Sequence, residues 1–401
     1  MNKFGLIAGL SVALSGCVTD GKDGAMGGMG AAGAPGAAGA NGADGGTGAT
    51  GAPGPQLALP ALYTMSNAAA GNQVAAYLRA TDGNLSRKGS YTTSGKGLGA
   101  GLGSQGSIVF DGKSQRFFAV NAGDSTISML AIDGDGELTA LSTVASGGKR
   151  PVSITAHGGV VYVVNQGDLT GTPVGANLSG FQVAGDALVP IASSTQPLSA
   201  TTDVHPTDIA FTRDGKLLIV AERFTGKLDT FKVVGGVAQA GSFQSSAGMQ
   251  PFAFDFSPEG FLIVAEVGSG AAGGSSVSSY TISDAGALTP VTSALPTLQS
   301  AACWLVTAGG YAYIANAASA NITGVVVSET GALTLHDTSG ITATTGTGAI
   351  DLAVSPDRGY LYSLAGGPHT INIFAIEADG SLSVMPALPG APATAGGLVS
   401  R

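Results

Sequence analysis

The chain has 401 residues, with 17 Lys and Arg against 26 Asp and Glu, a net charge of −9, and 65 glycines. An acidic surface of this kind argues against nucleic acid and anionic lipid as partners. No stretch keeps apolar residues at helical spacing, so a helical architecture is excluded too.

The amino terminus, MNKFGLIAGLSVALSGC, has one early cation at Lys3, an apolar run too short to cross a bilayer, and small residues before Cys17. That is the pattern of a secretory signal. Leu14-Ser15-Gly16-Cys17 has the form of a bacterial lipobox, which predicts a signal over residues 1–16 and lipidation of Cys17 within a short segment, 17–20. Several acyl chains on one Cys give stable membrane attachment. Val18 beside it points to an exported lipoprotein of the cell envelope, placed in the outer membrane.

From residue 21 to 56 glycine holds every third position, the demand of a collagen axis. Proline appears there only at Pro35, Pro53 and Pro55, fewer than a stable triple helix requires. Two readings stand: a trimeric collagen-like stalk, which would make the protein a homotrimer, or a flexible Gly/Ala tether.

The remaining chain, 57–401, is organised by an apolar run that recurs about every 50 residues and stops at Asn or Glu, a period that signals a propeller or solenoid. The runs are LYTMSN to Asn67, RFFAVN to Asn121, VVYVVN to Asn165, LLIVAE to Glu222, FLIVAE to Glu266 and YAYIAN to Asn316, then YLYSLA to Ala365. Other strand-like segments between them bring each period to four strands, the content of a propeller blade. Six blades are complete from Ser107 to about residue 387. Three strands after Leu57 and a lone AGGLVSR strand at residues 395–401 pair into a seventh, which closes the ring. The prediction is an all-β, seven-bladed β-propeller of 28 antiparallel strands, with Leu398 and Val399 beside the axis. Repetition also reassigns two tempting motifs. DGDGE at Asp133 occupies the place of DAGALT, ETGALT and ADGSLS, and so reads as a hairpin turn. SGKGLGAGLGSQG, from Ser94, lacks the ending of a phosphate loop and reads as a flexible link between blades.

In a propeller the second strand ends, and the inner strand begins, on one face. The Asn and Glu endings should therefore ring one mouth, either as ligand-facing groups or as caps that bond to loop backbone. The fourth and fifth blades concentrate the chemistry. His205, Glu222, Arg223 and Glu266 are the candidate catalytic residues, and Arg150, Asn165, Gln250, Trp304 and Asp351 the candidate ligand-binding ones. No nucleophile elbow, zinc helix or paired Cys site competes, and no metal or cofactor is predicted.

The phrases QPFAFDFSPEGFLIVAEV from Gln250, SSVSSYTI from Ser275, AACWLV from Ala301 and YAYIANAASANITGV from Tyr311 resemble those of the lactonase-like seven-bladed propeller family. That family includes 6-phosphogluconolactonase and carboxymuconate lactonising enzyme. The resemblance implies a carboxylic ester hydrolase opening a lactone, but it does not match the family's catalysts position by position; among the polar residues at the mouth, Glu222 or His205 would serve as base and Arg223 and Arg150 as oxyanion or carboxylate partners. Export and the scarcity of cations near the mouth weigh against a sugar phosphate as substrate. The other reading is a non-catalytic surface module, held out on the spacer to bind a carbohydrate-type ligand.

Overall fold

The computed structural model describes residues 60–168 and 174–401. The expected signal segment, Cys17 and the Gly-x-y spacer lie outside the described residues.

Seven antiparallel sheets form, and the inner strand of each packs against the inner strand of the next until the ring closes. Blades 2 to 7 are each built from consecutive strands, with inner strands Ile108–Asp111, Pro151–His157, Pro206–Phe211, Pro251–Phe256, Ala302–Ala308 and Ala349–Val354. Blade 1 takes its inner strand, Gly396–Ser400, from the carboxyl end and pairs it with Pro60–Met65. Leu62, Tyr63 and Thr64 stand opposite Ser400, Val399 and Leu398, and the Thr64 hydroxyl donates to the Gly397 carbonyl at 2.5 Å. In blades 3, 4 and 6 the outer strand is broken into two pieces, so 28 continuous strands are not formed. Short, interrupted edges of this kind resist pairing with a second molecule.

The second strand of each blade, buried along nearly its whole length, supplies the core between sheets. Large rings meet across the blade boundaries, as with Tyr63 and Phe117 (4.5 Å between centroids) and Tyr162 and Phe211 (5.8 Å). Two tyrosine hydroxyls reach the outer hairpin of the next blade: Tyr162 donates to Gly236 O and Tyr313 to Gly380 O, both at 2.9 Å. The hairpin glycine is obligatory at Gly380, which sits at φ 83°, and where a Cβ would fall 2.3 Å from the Tyr311 ring. At Asp133 the carboxylate accepts from its own turn, from Asp135 N–H at 3.0 Å and Glu137 N–H at 2.8 Å, as a hairpin should.

The Gly-rich segment from Ser94 differs from expectation, because it is an ordered plug in the axial channel rather than a flexible link. Ser104 Oγ donates to Val152 O at 2.8 Å, and Trp304 Nε1 donates to Ser104 O at 3.0 Å. Gln105 N–H donates to Thr207 O at 2.9 Å, and its Oε1 accepts from Leu305 N–H at 2.9 Å. A weaker contact, 3.4 Å, runs from Gln105 Nε2 to Phe254 O. The glycines are there for close approach: a Cβ on Gly97 would lie 2.0 Å from the Asn67 carbonyl carbon.

Closure by the carboxyl-terminal strand makes a direct prediction. Deleting residues 396–401 leaves blade 1 without its inner strand and exposes the edge of Pro60–Met65. Thermal unfolding should lose its single cooperative transition, or the protein should aggregate; a melt superimposable on the full chain would contradict this.

Candidate active site

Five inner strands begin with the same local device. The entry residue sits in the left-handed region: Arg150 (φ 55°), His205 (φ 51°), Gln250 (φ 58°), Ala301 (φ 57°) and Gly348 (φ 65°). A bulge follows in each strand, between Pro151 and Ser153, Pro206 and Asp208, Pro251 and Ala253, Ala302 and Trp304, and Ala349 and Asp351. The entry carbonyl accepts the N–H of the residue that follows the second strand, as Arg150 does from Gln166 (2.9 Å) and His205 from Arg223 (3.1 Å). Left-handed backbone is costly for any residue with a Cβ and suits glycine best. Large polar side chains nevertheless occupy it in three consecutive blades, at Arg150, His205 and Gln250.

Arg150 and His205 line a cavity of about 580 Å³, together with Lys149, Gln166, Asp168, Asp203 and Phe224 among others. His205 stacks on Phe224, with ring centroids 4.6 Å apart, and its Nδ1 is buried without a hydrogen-bond partner. Burial, then the charges of Arg223 and Arg150, hold the imidazole down to about 4, so it is neutral at physiological pH. Arg223 is only 5% exposed. Its Nε donates to Gln250 Oε1 at 3.0 Å, and its guanidinium lies 5.4 Å from the Phe224 ring centre and 5.9 Å from that of Phe252. Among the described residues it has no carboxylate partner. A buried cation without a counter-ion is expensive, and sites of that kind are used to receive developing negative charge.

Of the expected residues only His205 and Arg150 line the cavity; Arg223, bonded to Gln250, lies near enough to His205 to depress it without reaching the cavity wall, and Glu222, Glu266, Asn165, Trp304 and Asp351 do not enter it. The Asn and Glu endings are caps. Glu222 is enclosed and accepts from Ser199 N–H at 2.8 Å and from the hydroxyls of Ser199 and Thr225. Glu266 accepts from Gly248 N–H (2.8 Å) and from the hydroxyls of Ser246 (2.9 Å), Ser276 (2.5 Å) and Ser278 (2.7 Å). Asn165 donates to Ser146 O at 3.2 Å and to Asn177 Oδ1 at 2.9 Å. The two carboxylates and the Asn165 amide nitrogen are spent on the protein, and Asn165 Oδ1, which has no hydrogen-bond partner, is buried away from the cavity. Trp304 is buried edge-on to Phe252, 5.1 Å between centroids, with its N–H spent on the plug. Asp351 belongs to a set of channel carboxyls that stitch one inner strand to the next. Asp208 accepts from Phe254 N–H at 3.1 Å and Asp255 from Thr307 N–H at 2.8 Å, while Asp351 lies against Gly397 and Leu398. Burial raises Asp351 well above the usual carboxylate range.

Lys149, Gln166, Asp168, Asp203 and Phe224 went unnoticed in the sequence. A signal existed for two of them, since Gln166 and Phe224 follow the second-strand endings by one and two positions.

The family model described as lactonase, seven-bladed β-propeller matches residues 188–306. Among solved structures, one from Bacteroides uniformis assigned as a 6-phosphogluconolactonase is 19% identical, with a TM-score of 0.67 over 85% of this chain and 99% of that one. The periplasmic gluconolactonase of Pseudomonas aeruginosa is 17% identical, with a TM-score of 0.66 over 84% of this chain and 98% of that one. The virginiamycin B lyase of Staphylococcus aureus, 12% identical with a TM-score of 0.51, covers 72% of this chain and 86% of its own. No curated protein matches the sequence. The chain is a seven-bladed β-propeller, one part of which matches the lactonase family model. At these identities the solved structures speak for the fold alone, and the lyase among them shows that the fold does not by itself choose a reaction.

Two predictions come from this geometry. Replacing exposed Arg150 by Gly relieves a left-handed side chain and should stabilise the fold by about 0.5 to 1 kcal/mol in chemical denaturation while weakening ligand binding. The second concerns the cap of blade 4, where buried Asp229 faces Glu222. Burial, with the hydrogen bond to Glu222 and that group's charge, pushes Asp229 up to about 10, so it holds a proton and donates it to Glu222. A folded-state value above the unfolded one gives stability that is present at low pH and lost as pH rises toward 10. The melting temperature should fall as pH goes from 6 to 9, and Asp229→Asn, which keeps a donor without titrating, should flatten that fall.

Proposed function

We propose that the protein hydrolyses a lactone in the cavity lined by His205, Arg150 and Phe224. The observation that carries this reading is the neutral imidazole of His205 in the cavity wall, near Arg223, a buried guanidinium with no counter-ion among the described residues. In the proposed reaction His205 takes a proton from water as the water oxygen bonds to the lactone carbonyl carbon. Arg223 and Arg150 stabilise the oxyanion. The negative charge that develops raises the basicity of His205 during the step, offsetting the two cations that depress it in the empty pocket. Collapse of the intermediate breaks the ring C–O bond, and the imidazolium returns its proton to the leaving alkoxide. The product is a hydroxy acid.

The lining also bears on the substrate. Lys149 and Arg150 are balanced by Asp168 and Asp203, which disfavours a phosphorylated substrate, while Phe224, 56% exposed, offers a flat apolar face. That combination suits an uncharged, hydroxylated lactone. Delivery to the cell envelope, through the lipobox at Cys17 and the spacer at 21–56, is part of the same proposal and would put the enzyme in reach of extracellular sugar lactones.

Hydrolysis should be followed by pH-stat with δ-gluconolactone. His205→Gln should lower kcat/KM by about 100-fold or more, and Arg223→Gln by about 100- to 1000-fold. In the wild type kcat/KM should fall only as pH drops through the value near 4 where the imidazole is protonated. In Arg223→Gln, with one cation removed, that fall should begin at higher pH. Equal rates for wild type and His205→Gln would refute the mechanism. Binding of the sugar without turnover would turn the proposal into the surface-binding reading.

A further inference from the structure

The plug carried by the Gly-rich connection reaches four of the seven inner strands, among them the three that begin at Arg150, His205 and Gln250. Ser104 is tied to Val152, two residues beyond Arg150, and to Trp304. Gln105 is tied to Thr207, two residues beyond His205, to Phe254, four beyond Gln250, and to Leu305. The next residue, Gly106, accepts from Ile154 N–H at 2.8 Å. The plug reaches blades 3, 4, 5 and 6, and nearer the cavity the same segment contributes Leu98 to its wall. We propose that Ser104 and Gln105 are positioning residues: they close the axial channel beneath the cavity and set the spacing of Arg150, His205 and Gln250.

The physical reason lies in the entry device. Each of these three residues is held in a strained left-handed conformation by its carbonyl bond and by the strand that follows it, with Arg150 N–H also donating to Ser125 Oγ and Gln250 Oε1 accepting from Arg223. A strand lining an open, wet channel could relax that strain by rotating its first peptide. The plug removes this freedom, because its backbone and side chains satisfy inward-facing groups at Val152, Thr207 and Leu305 that would otherwise bond to water. Buried polar groups without such partners draw water in. Dryness beneath the cavity is also what keeps the His205 imidazole neutral, since burial is the first cause of its depression. The charged groups around that ring are Arg223 from the hairpin after Leu217–Glu222, Arg150 from the entry to blade 3, and Asp203 two residues upstream in the same connection.

The test uses the full chain with Ser104→Ala and Gln105→Met combined. Met keeps the volume of the plug but offers Leu305 N–H no acceptor, and Ala removes the tie to Val152. The chain has four histidines, so their imidazoles can be titrated individually by NMR. The expected result is that the His205 midpoint rises from about 4 toward the ordinary 6.5, by at least half a unit, while the other three stay in place. Single Gln105→Met should give part of the shift, which keeps the test available if the double variant does not fold. An unchanged His205 midpoint, with or without a lower melting temperature, would overturn the proposal, since it would leave the plug a purely structural role. The titration needs no substrate. A wild-type protein that opens no lactone would remove the proposed reaction and leave this inference standing or falling on its own measurement.

Discussion

The fold depends on one repeated interaction, the polar cap at the end of the second strand. A propeller chain must leave the outer edge of one blade and return to the axis of the next, and that return is made by a loop whose backbone has no strand partner. In most blades a buried Asn or Glu at the second-strand end takes the loop in hand. Asn121 meets Thr93, Asn165 meets Ser146, Glu222 meets Ser199, and Glu266 meets Ser246 and Gly248. The same side chains reach the start of the third strand, as Asn316 does to Asn321 and Thr323, both at 2.8 Å. One residue therefore fixes three pieces of backbone. Glycines at the contact, such as Gly148 against Asn165 and Gly248 against Glu266, let the loop come close enough to be held.

Function grows from what the caps leave free. Because they anchor each return loop, the residue that enters the inner strand is fixed in the left-handed region, and its side chain is presented at the mouth. Ala301 and Gly348 bring little or no side chain to the position, whereas Arg150 and His205 line the cavity from it and Gln250 accepts from Arg223. The residue after the cap is presented beside it, which brings Arg223 to Gln250 and Gln166 to the cavity. The cavity is thus an arc over blades 2 to 4 rather than a full ring, and the plug beneath it makes a pocket of what would otherwise be an open shaft.

The sequence was a good guide to the fold for a physical reason. Blade count, strand order and closure by the last strand are written in a repeat whose apolar period follows directly from burial, and each repeat corroborates the others. The site was legible only in part. Arg150 and His205, which line the cavity, stood out because charged or polar residues at strand entries break the repeat. The Asn and Glu endings misled, because residues that recur in most blades are doing what every blade needs, and Glu222 and Glu266 serve as caps as Asn165 does. Trp304 and Asp351 are likewise used between blades. The plug was illegible because its glycines answer to partners far along the chain: Gln105 and Leu305 are 200 residues apart, and no local pattern announces that contact.

The central claim is that the chemistry of this propeller is concentrated where His205, Arg223 and Phe224 meet. A crystal structure of the protein soaked with gluconate, the hydroxy acid expected from lactone opening, tests it most directly. The account predicts the carboxylate against the Arg223 or Arg150 guanidinium, the polyol chain across the Phe224 ring, and His205 within hydrogen-bond distance of the bound acid. Gluconate held at another face of the ring, with this cavity empty, would contradict it.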